Sequence, residues 1–359
     1  MSDLRLAAGL MSGTSMDGID AALIETDGAS RVRPVAAVTV PYDPAFRSRL
    51  RGVLGERGPL AEVERELTDL HAGAIRHLLA GAGVAAADVY VAGFHGHTVL
   101  HDPARLRTRQ IGDGARLAAA VGIDVVGDFR SADVAAGGQG APLAPGYHAA
   151  LAVGLERPLA VLNLGGVGNV TWIGEGEDRL LAFDTGPGNA LIDDWVAAHG
   201  DLAYDAGGAL AARGRVDEDV LARLMANPYF ARRPPKSLDR DDFSAAPCAG
   251  LSHEDGAATL AAFTVAAVAA GLAHLPERPR RWLVTGGGRH NGTLLAGLAR
   301  ALGVPVEPVE AVGWDGDALE AQAFAWLAVR AVDGRPLSWP GTTGVPAPVT
   351  GGRLFRAPG

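Results

Sequence analysis

Two stretches of this chain share one grammar. LRLAAGLMSGTSMDGIDAALIETDG occupies residues 4–28, and PLAVLNLGGVGNVTWIGEGE occupies residues 158–177. Each reads as an apolar strand, a glycine-rich turn and a second strand. A duplication of this size constrains the fold more than any single motif does. It predicts an α/β chain of two related lobes, each opened by one glycine-rich turn. The alternative is two unrelated hairpins, because glycine-rich turns are common.

The surrounding pattern agrees with α/β alternation. Strands are expected at 4–11, 18–26, 35–42, 88–94 and 124–127, with helices at 61–79 and 114–121. In the second half, strands are expected at 158–164, 170–173, 180–183 and 282–284. Helices are expected at 190–199, in the run ending at 302, and at 318–332. The segment 232–244, RRPPKSLDRDDFS, reads as a charged loop, and the Pro/Gly-rich tail from Gly334 as extended surface chain. The expected division is residues 1–130 plus 335–359 for one lobe and 131–334 for the other.

Composition narrows the function. The chain has 359 residues, 48% of them hydrophobic, enough for two cores. Its formal net charge of −9 lacks the basic stripe of a nucleic-acid binder and favours a small metabolite. A single cysteine, Cys248, permits no internal disulfide and fits a reducing cytosol. The first residues carry no signal-peptide pattern. Residues 257–275 contain no Asp, Glu, Lys or Arg. This alanine-rich run is expected to be a buried helix rather than a membrane span. Lys236 is the only lysine. A Walker A loop and a protein-kinase strand lysine are therefore both excluded. Any phosphate must be held by backbone N–H groups, hydroxyls, arginine or a metal.

Several stretches could do this. In the opening turn, Gly13 and Gly18 permit close backbone approach, Thr14 and Ser15 offer hydroxyls, and successive N–H groups can form an anion nest. Asp17 would repel phosphate unless a cation intervened, which suggests Mg²⁺ through water. An ordinary hairpin turn is the competing reading. NLGGVGN, residues 163–169, offers a second such turn. VTGGGRHNG, residues 284–292, follows a strand and opens a helix. There Gly286, Gly287 and Gly288 would let a flat ring lie against the backbone.

In FDTGPGN, residues 183–189, Asp184 ends an apolar strand and is a candidate general base. A helix cap is its competing reading. His95, His97 and His101 fall on one strand face, suited to polar substrate contact or a hydrogen-bonded core more than to a metal. Arg130 could clamp a carboxylate or pair with Asp128 or Asp133. Glu320 is an isolated carboxylate on an apolar helix.

Together, GLMSGTSMDGIDAALIETDG, GDFRSADVAAGGQGAPLAPGYH, LNLGGVGN, FDTGPGN, VTGGGRHNGTLL and DALEAQAFAWLA resemble the anhydro-N-acetylmuramic acid kinase family. They occur in the family's order and span essentially the whole chain. The resemblance implies duplicated lobes of the actin-like ATPase, ribonuclease H-like type, with a nucleotide cleft between them. It implies an ATP- and Mg²⁺-dependent phosphotransferase of peptidoglycan recycling in the cytoplasm. Such an enzyme opens 1,6-anhydro-N-acetylmuramic acid with water and phosphorylates its 6-oxygen, giving N-acetylmuramic acid 6-phosphate and ADP.

By the family's pattern, Asp184 activates the water. Gly13, Thr14, Ser15, Met16, Asp17, Gly18, Ile19 and Asp20 would hold ATP phosphates, joined by Gly165, Gly166 and Asn169. Gly286, Gly287, Gly288 and Asn291 would border the nucleoside. His95, Thr98, Arg130, His148 and Glu320 would contact the sugar. The expected partner is this small amino sugar, with no nucleic acid and no membrane, and a homodimer is left open. One departure is visible: the family commonly has Gln where this chain has His97, which puts one sugar contact in doubt. A ribokinase-like kinase or an actin-like nucleotide switch are weaker alternatives.

Overall fold

The computed structural model describes residues 3–13, 15–176 and 179–358, so Thr14 of the opening turn lies outside the described residues. The chain forms two compact units, residues 1–154 with 317–359, and residues 155–316.

The first unit begins with three antiparallel strands, β1 (Arg5–Met11), β2 (Gly18–Thr26) and β3 (Val32–Pro41). Helix α1 (Pro44–Gly52) follows, capped by the Asp43 carboxylate on the Phe46 N–H. The amphipathic α2 (Leu60–Ala82) comes next, ending on Gly83 in the left-handed conformation. Strand β4 (Val91–Phe94) pairs parallel with β1. A separate hairpin, β5 (His97–Asp102) and β6 (Arg107–Ile111), projects from it. Helix α3 (Gly114–Val121) leads to β7 (Val125–Gly127), parallel to β4. Two short helices, α4 (Ser131–Ala135) and α5 (Pro145–Leu151), complete this half.

The second unit repeats the plan. Strands β8 (Leu159–Leu164), β9 (Val167–Ile173) and β10 (Leu180–Pro187) are antiparallel neighbours. Helices α6 (Ala190–His199), α7 (Glu218–Met225) and α8 (His253–Gly271) follow. Strand β11 (Trp282–Thr285) pairs parallel with β8. Helix α9 (Gly292–Leu302) then leads to β12 (Val306–Pro308), parallel to β11.

The chain returns to the first unit with α10 (Leu319–Val332), α11 (Pro340–Thr343) and β13 (Arg353–Phe355). The strand orders are β13-β7-β4-β1-β2-β3 and β10-β9-β8-β11-β12. Apart from β13, the two five-strand sheets share one order and one set of directions. The duplicated grammar of the sequence is therefore a duplicated topology. Each unit has the ribonuclease H-like order, three parallel strands flanked by two that pair antiparallel.

Residue alternation divides the faces of the first sheet. Ala8 and Leu10 pack with Leu67, Ile75 and Leu78 of α2 and with Leu117 of α3. Gly9, on the other face, meets α10 directly: a Cβ there would lie 1.9 Å from the Ala321 carbonyl oxygen. Gly93 does the same, at 2.1 Å from the Phe324 carbonyl oxygen. These two glycines let α10 rest on backbone.

In the second unit Leu162, Val170, Phe183 and Val284 pack with α6, α7, α8 and α9. Among the described residues His253–His274 is long and apolar enough to cross a membrane. Its Leu260, Phe263, Ala267 and Val268 belong to this core. Cys248 is fully buried in it.

Two expectations need correcting. The divisions fall at 154/155 and 316/317, not 130/131 and 334/335, because α10 packs along β1, β2 and β4. The tail is not loose surface chain. β13 closes the edge of the sheet on β7, and Ser338, Thr342 and Thr343 are buried. Its Pro/Gly-rich composition hid the buried hydroxyls of Ser338 and Thr343, which both donate to the Asp133 carboxylate.

Candidate active site

In the first unit the opening turn closes through a hydrogen bond from the Met16 N–H to the Gly13 carbonyl oxygen, 3.0 Å. Met16 takes a positive φ of 56°, and its side chain is buried in the α2-side core with Ile19. Of the two, only backbone faces the turn. Gly18 serves the sheet, since a Cβ there would lie 2.5 Å from the Val40 carbonyl oxygen. Gly13 is different: a Cβ would find only Ser15 Oγ, at 3.8 Å. Its backbone is open to approach, and Ser15 is exposed beside it.

The charge of Asp17 is answered by an arginine that the sequence reading passed over. Arg47, on α1, donates to the Asp17 carboxylate at 2.8 Å and to the Ser15 carbonyl oxygen at 3.2 Å. Asp20 accepts from the Thr39 hydroxyl at 2.6 Å. Among the described residues no three His, Cys, Asp or Glu side chains are grouped to hold a metal ion.

His97 lies behind this turn. It is 1% exposed, and its Nδ1 lies 3.0 Å from Ser12 Oγ, which accepts from the Tyr42 hydroxyl at 2.8 Å. A buried chain of hydrogen-bonding groups thus runs from Tyr42 through Ser12 to the His97 ring. Burial lowers its pKa to about 4 and holds it neutral. His97 thus braces the turn through Ser12.

His95 and Arg130 form a second group. Arg130 Nε donates to His95 Nε2 at 2.9 Å, and Nη1 donates to the Gly140 carbonyl oxygen at 2.7 Å. The expected alternative, an ion pair with Asp128 or Asp133, is not formed; Asp128 instead accepts from Ser131. With Nε2 as acceptor, His95 Nδ1 donates to the Gly96 carbonyl oxygen, 2.9 Å away. Burial, then the Arg130 charge, hold the His95 pKa well below its usual value. Burial also lowers Arg130 to about 10, against the attraction of Glu320 and Asp133.

Glu320 presents a solvent-accessible side chain at the start of α10. The mass of protein around it nonetheless raises its carboxyl pKa; Arg130 opposes the rise and Asp20 adds to it. Glu320, Arg130 and Asp20 thus sense one another's charge. Thr98, on β5, accepts from Gln110 at 3.2 Å. His148, on α5, is buried, and burial lowers it to about 4.

In the second unit three distant glycine turns converge. The Asn189 N–H donates to the Gly165 carbonyl oxygen at 2.7 Å, and its side-chain amide donates to the Leu164 carbonyl oxygen at 2.8 Å. Gly286 has φ +75°, and a Cβ there would lie 2.3 Å from Asn163 Oδ1. A Cβ at Gly288 would lie 2.5 Å from Leu164 Cβ and 3.1 Å from Asn189 Oδ1. Asn189 therefore binds 163–169 and lies against Gly287 and Gly288, a role its sequence position gave no sign of. Gly287 and Gly165 keep open faces, the nearest atoms to a Cβ being 3.7 Å away at each. Gly166 is similarly open, its nearest neighbour being Ala190 Cβ at 3.6 Å. Asn291 caps α9, accepting from the Leu294 N–H at 3.0 Å.

Asp184 stands on β10 opposite Asn169 of β9, which stands opposite Asn163 of β8. It caps no helix: α6 begins at Ala190. The ladder shifts register immediately after Asp184. Its Oδ2 accepts from the Leu238 N–H at 2.8 Å, its N–H donates to the Lys236 carbonyl oxygen at 3.1 Å, and its carbonyl oxygen accepts from the Tyr229 hydroxyl at 2.6 Å. Burial raises the Asp184 pKa to about 7; the Leu238 N–H and the Lys236 charge resist the rise, and Asp239 adds to it.

The family model for anhydro-N-acetylmuramic acid kinase matches residues 5–357. The chain is 61% identical over 351 residues to a curated relative of that name from Paramagnetospirillum magneticum, covering 97% of this chain and 99% of the relative. A relative of the same name from Rhodospirillum rubrum is 58% identical over 356 residues, covering 98% and 94%. The chain belongs to the anhydro-N-acetylmuramic acid kinase family. It is an enzyme, a kinase. Among the glycines of the glycine-rich turns, Gly13, Gly165, Gly166 and Gly287 have open faces. Gly18, Gly286 and Gly288 make room for neighbouring protein atoms.

Proposed function

We propose that this kinase transfers the γ-phosphoryl group of ATP to the 6-oxygen of 1,6-anhydro-N-acetylmuramic acid while water opens the anhydro bridge. The products are N-acetylmuramic acid 6-phosphate and ADP, in cell-wall recycling in the cytoplasm. The observation that carries the reading is Asp184: a carboxyl with a pKa of about 7, on a strand edge beside three converging glycine turns. A general base is most effective when its pKa lies near the working pH.

The donor set suits a nucleotide without a lysine. In the first unit Gly13 and Ser15 offer open backbone and a hydroxyl suited to phosphate; in the second, Gly165 and Gly166 offer open backbone of the same kind, and Gly287 a flat backbone face for the nucleoside. ATP with Mg²⁺, when bound, supplies the phosphoryl group and neutralises its charge. Asp17 faces that charge with Arg47 already at its carboxylate, which suits contact with Mg²⁺ through water better than direct ligation.

The remaining steps belong to the chain. Leu238 fixes Oδ2 of Asp184, leaving Oδ1 to take a proton from water. That water's oxygen bonds to the anomeric carbon as the bond from this carbon to the 6-oxygen breaks, and the 6-oxygen bonds to the γ-phosphorus as that phosphorus parts from the bridging oxygen, which leaves with ADP. Arg130, oriented by His95 and Gly140, directs its fork toward the sugar's lactyl carboxylate. Glu320, Thr98 and His148 contribute polar contacts that orient the ring.

The test combines isotope and mutation. In ¹⁸O-labelled water, the product should carry one label at the anomeric carbon. Asp184→Asn should lose turnover by about 10²-fold or more while keeping nucleotide binding. Unlabelled product, or near-normal turnover in Asp184→Asn, would refute the reading.

A further inference from the structure

The segment RRPPKSLD contains the chain's only lysine, and the structure wraps it around Asp184. Within this segment and the turn before it, Tyr229, Lys236 and Leu238 bond to the Asp184 carbonyl oxygen, N–H and carboxylate respectively. The lysine side chain does not reach into solvent. Lys236 is 4% exposed. Its ammonium sits 4.6 Å from the centroid of the Tyr229 ring and 5.4 Å from that of Phe183, the residue before Asp184. Its one hydrogen bond among the described residues is long, 3.4 Å to the Tyr229 carbonyl oxygen.

A buried ammonium has three donors and a large desolvation cost, so it normally takes a carboxylate partner. Here two aromatic faces hold it instead. Among the described residues the ammonium makes no ion pair with a carboxylate, yet it lies over the ring of the residue preceding Asp184, and the lysine's own backbone carbonyl oxygen accepts from the Asp184 N–H; from there its charge acts on the carboxylate through space.

We propose that Lys236 is the charge partner of Asp184, a positioning residue that keeps the carboxylate ionised and ready to accept a proton from water. The proposal rests on the reading of Asp184 as the base. Every charged neighbour has a defined sense. Asp184 faces Lys236 and Asp239; Lys236 faces Asp184 and Arg232; Tyr229 faces Asp184, Arg232 and Asp242. Asp239 disfavours the ionised base, and Arg232 disfavours the ionised lysine. Lys236 is the cation that acts on Asp184 itself. In return, burial and Arg232 lower Lys236 to about 8, while Asp184 pulls it up. As Asp184 gains the proton of the attacking water, its charge is lost and the ammonium becomes easier to deprotonate.

Because the chain has a single lysine, the full-length protein carrying ¹³Cε-lysine gives one lysine resonance. Its titration midpoint should lie near 8 in the native chain and fall by about half a pH unit or more in Asp184→Asn, since the charge that supports the ammonium is lost. An unchanged midpoint would overturn the pairing, whatever the role of Asp184 in catalysis.

The catalytic half is read from the pH profile of kcat. Lys236→Met should move the acid limb upward by about one pH unit. That lowers turnover about five-fold at pH 7 and leaves it nearly restored at pH 9. Lys236→Arg should return the limb toward its native position. A loss that is equal at every pH, with the limb unmoved, would mean that Lys236 only packs. Retained turnover in Asp184→Asn would remove the base itself and with it the catalytic role, a failure separate from an unmoved limb.

Discussion

Adding one methyl group at Gly9 should damage the first unit more than its size suggests. The new Cβ would sit 1.9 Å from the Ala321 carbonyl oxygen and 2.5 Å from the Ala325 N, where ordinary contact begins near 3.4 Å. Both obstacles are helix backbone, which no rotamer change can move. Helix α10 would have to retreat by about 1.5 Å along its contact with β1, opening space beneath its fully buried Ala321, Ala325 and Ala328. Overpacking of this kind costs about 1–3 kcal/mol, and a backbone-on-backbone clash belongs at the upper end. For a unit of this size, about 3 kcal/mol corresponds to a fall of roughly 6–12 °C in Tm.

Glu320 precedes Ala321, so the retreat also displaces a carboxylate proposed to face the sugar. The KM for sugar should rise more than the KM for ATP. Gly73→Ala is the control: it lies on exposed α2 surface with nothing within 4 Å of a Cβ, and should stabilise by about 0.5–1 kcal/mol. Thermal and urea unfolding of both variants decide the matter. If Gly9→Ala unfolds within about 1 kcal/mol of the native chain, the direct seating of α10 on β1 is wrong.

Other outcomes follow from the same geometry. Asp133 is 2% exposed and accepts from the Gly140 N–H, Thr343 and Ser338; Asp133→Ala should cost about 3 kcal/mol in urea unfolding and weaken sugar binding by freeing Gly140 from Arg130's reach. His97→Gln keeps a hydrogen-bonding partner for Ser12 and should hold the KM for ATP near native, whereas His97→Leu should raise it about ten-fold, as steady-state kinetics would show. His71, His97 and His148 are all lowered to about 4 by burial, from 6.5. Between those values the unfolded chain binds more protons, so stability falls as pH drops from about 6.5 toward 4. The three histidines together contribute a slope of up to about 4 kcal/mol per pH unit. In pH-resolved urea unfolding, His71→Gln should reduce that slope by about one third.

What was legible in the sequence was periodic or punctuated. The paired strand–turn–strand stretches announced both sheets, because period-two apolar runs interrupted by glycine leave few other structures. Helices α3 and α6 fall at the expected residues, 114–121 and 190–199. Short elements escaped. The β5–β6 hairpin and α7 are mostly polar at the surface, and β12 is only three residues long. Among candidate site residues, Asp184 reads as closing an apolar strand at 183, but β10 runs on to Pro187 and shifts register just after Asp184, which local apolar pattern does not reveal. Arg47, Asn189 and Lys236 were not legible. Each acts through a partner dozens of residues away, or across a turn whose geometry local sequence does not specify. The charged look of residues 232–244 concealed a lysine that is almost wholly buried. Its one distinguishing sign was that it stood alone in a chain that otherwise uses arginine.

That choice of cation has a physical logic. An arginine stays protonated at any pH the enzyme meets, even when burial draws Arg130 down to about 10. Lysine loses its proton far more readily when buried, and Lys236 stands at about 8, within a unit or so of Asp184 at about 7. Two groups so matched respond to each other: ionised Asp184 supports the ammonium, and the ammonium supports ionised Asp184. An arginine between Phe183 and Tyr229 would bias the carboxylate in one direction only. The two glycine-rich turns need no such response, because no proton is taken up at their backbone and fixed N–H dipoles can meet phosphate charge at any pH. A tunable cation is useful where a proton moves, and the chain's single lysine stands beside the carboxylate proposed to receive one.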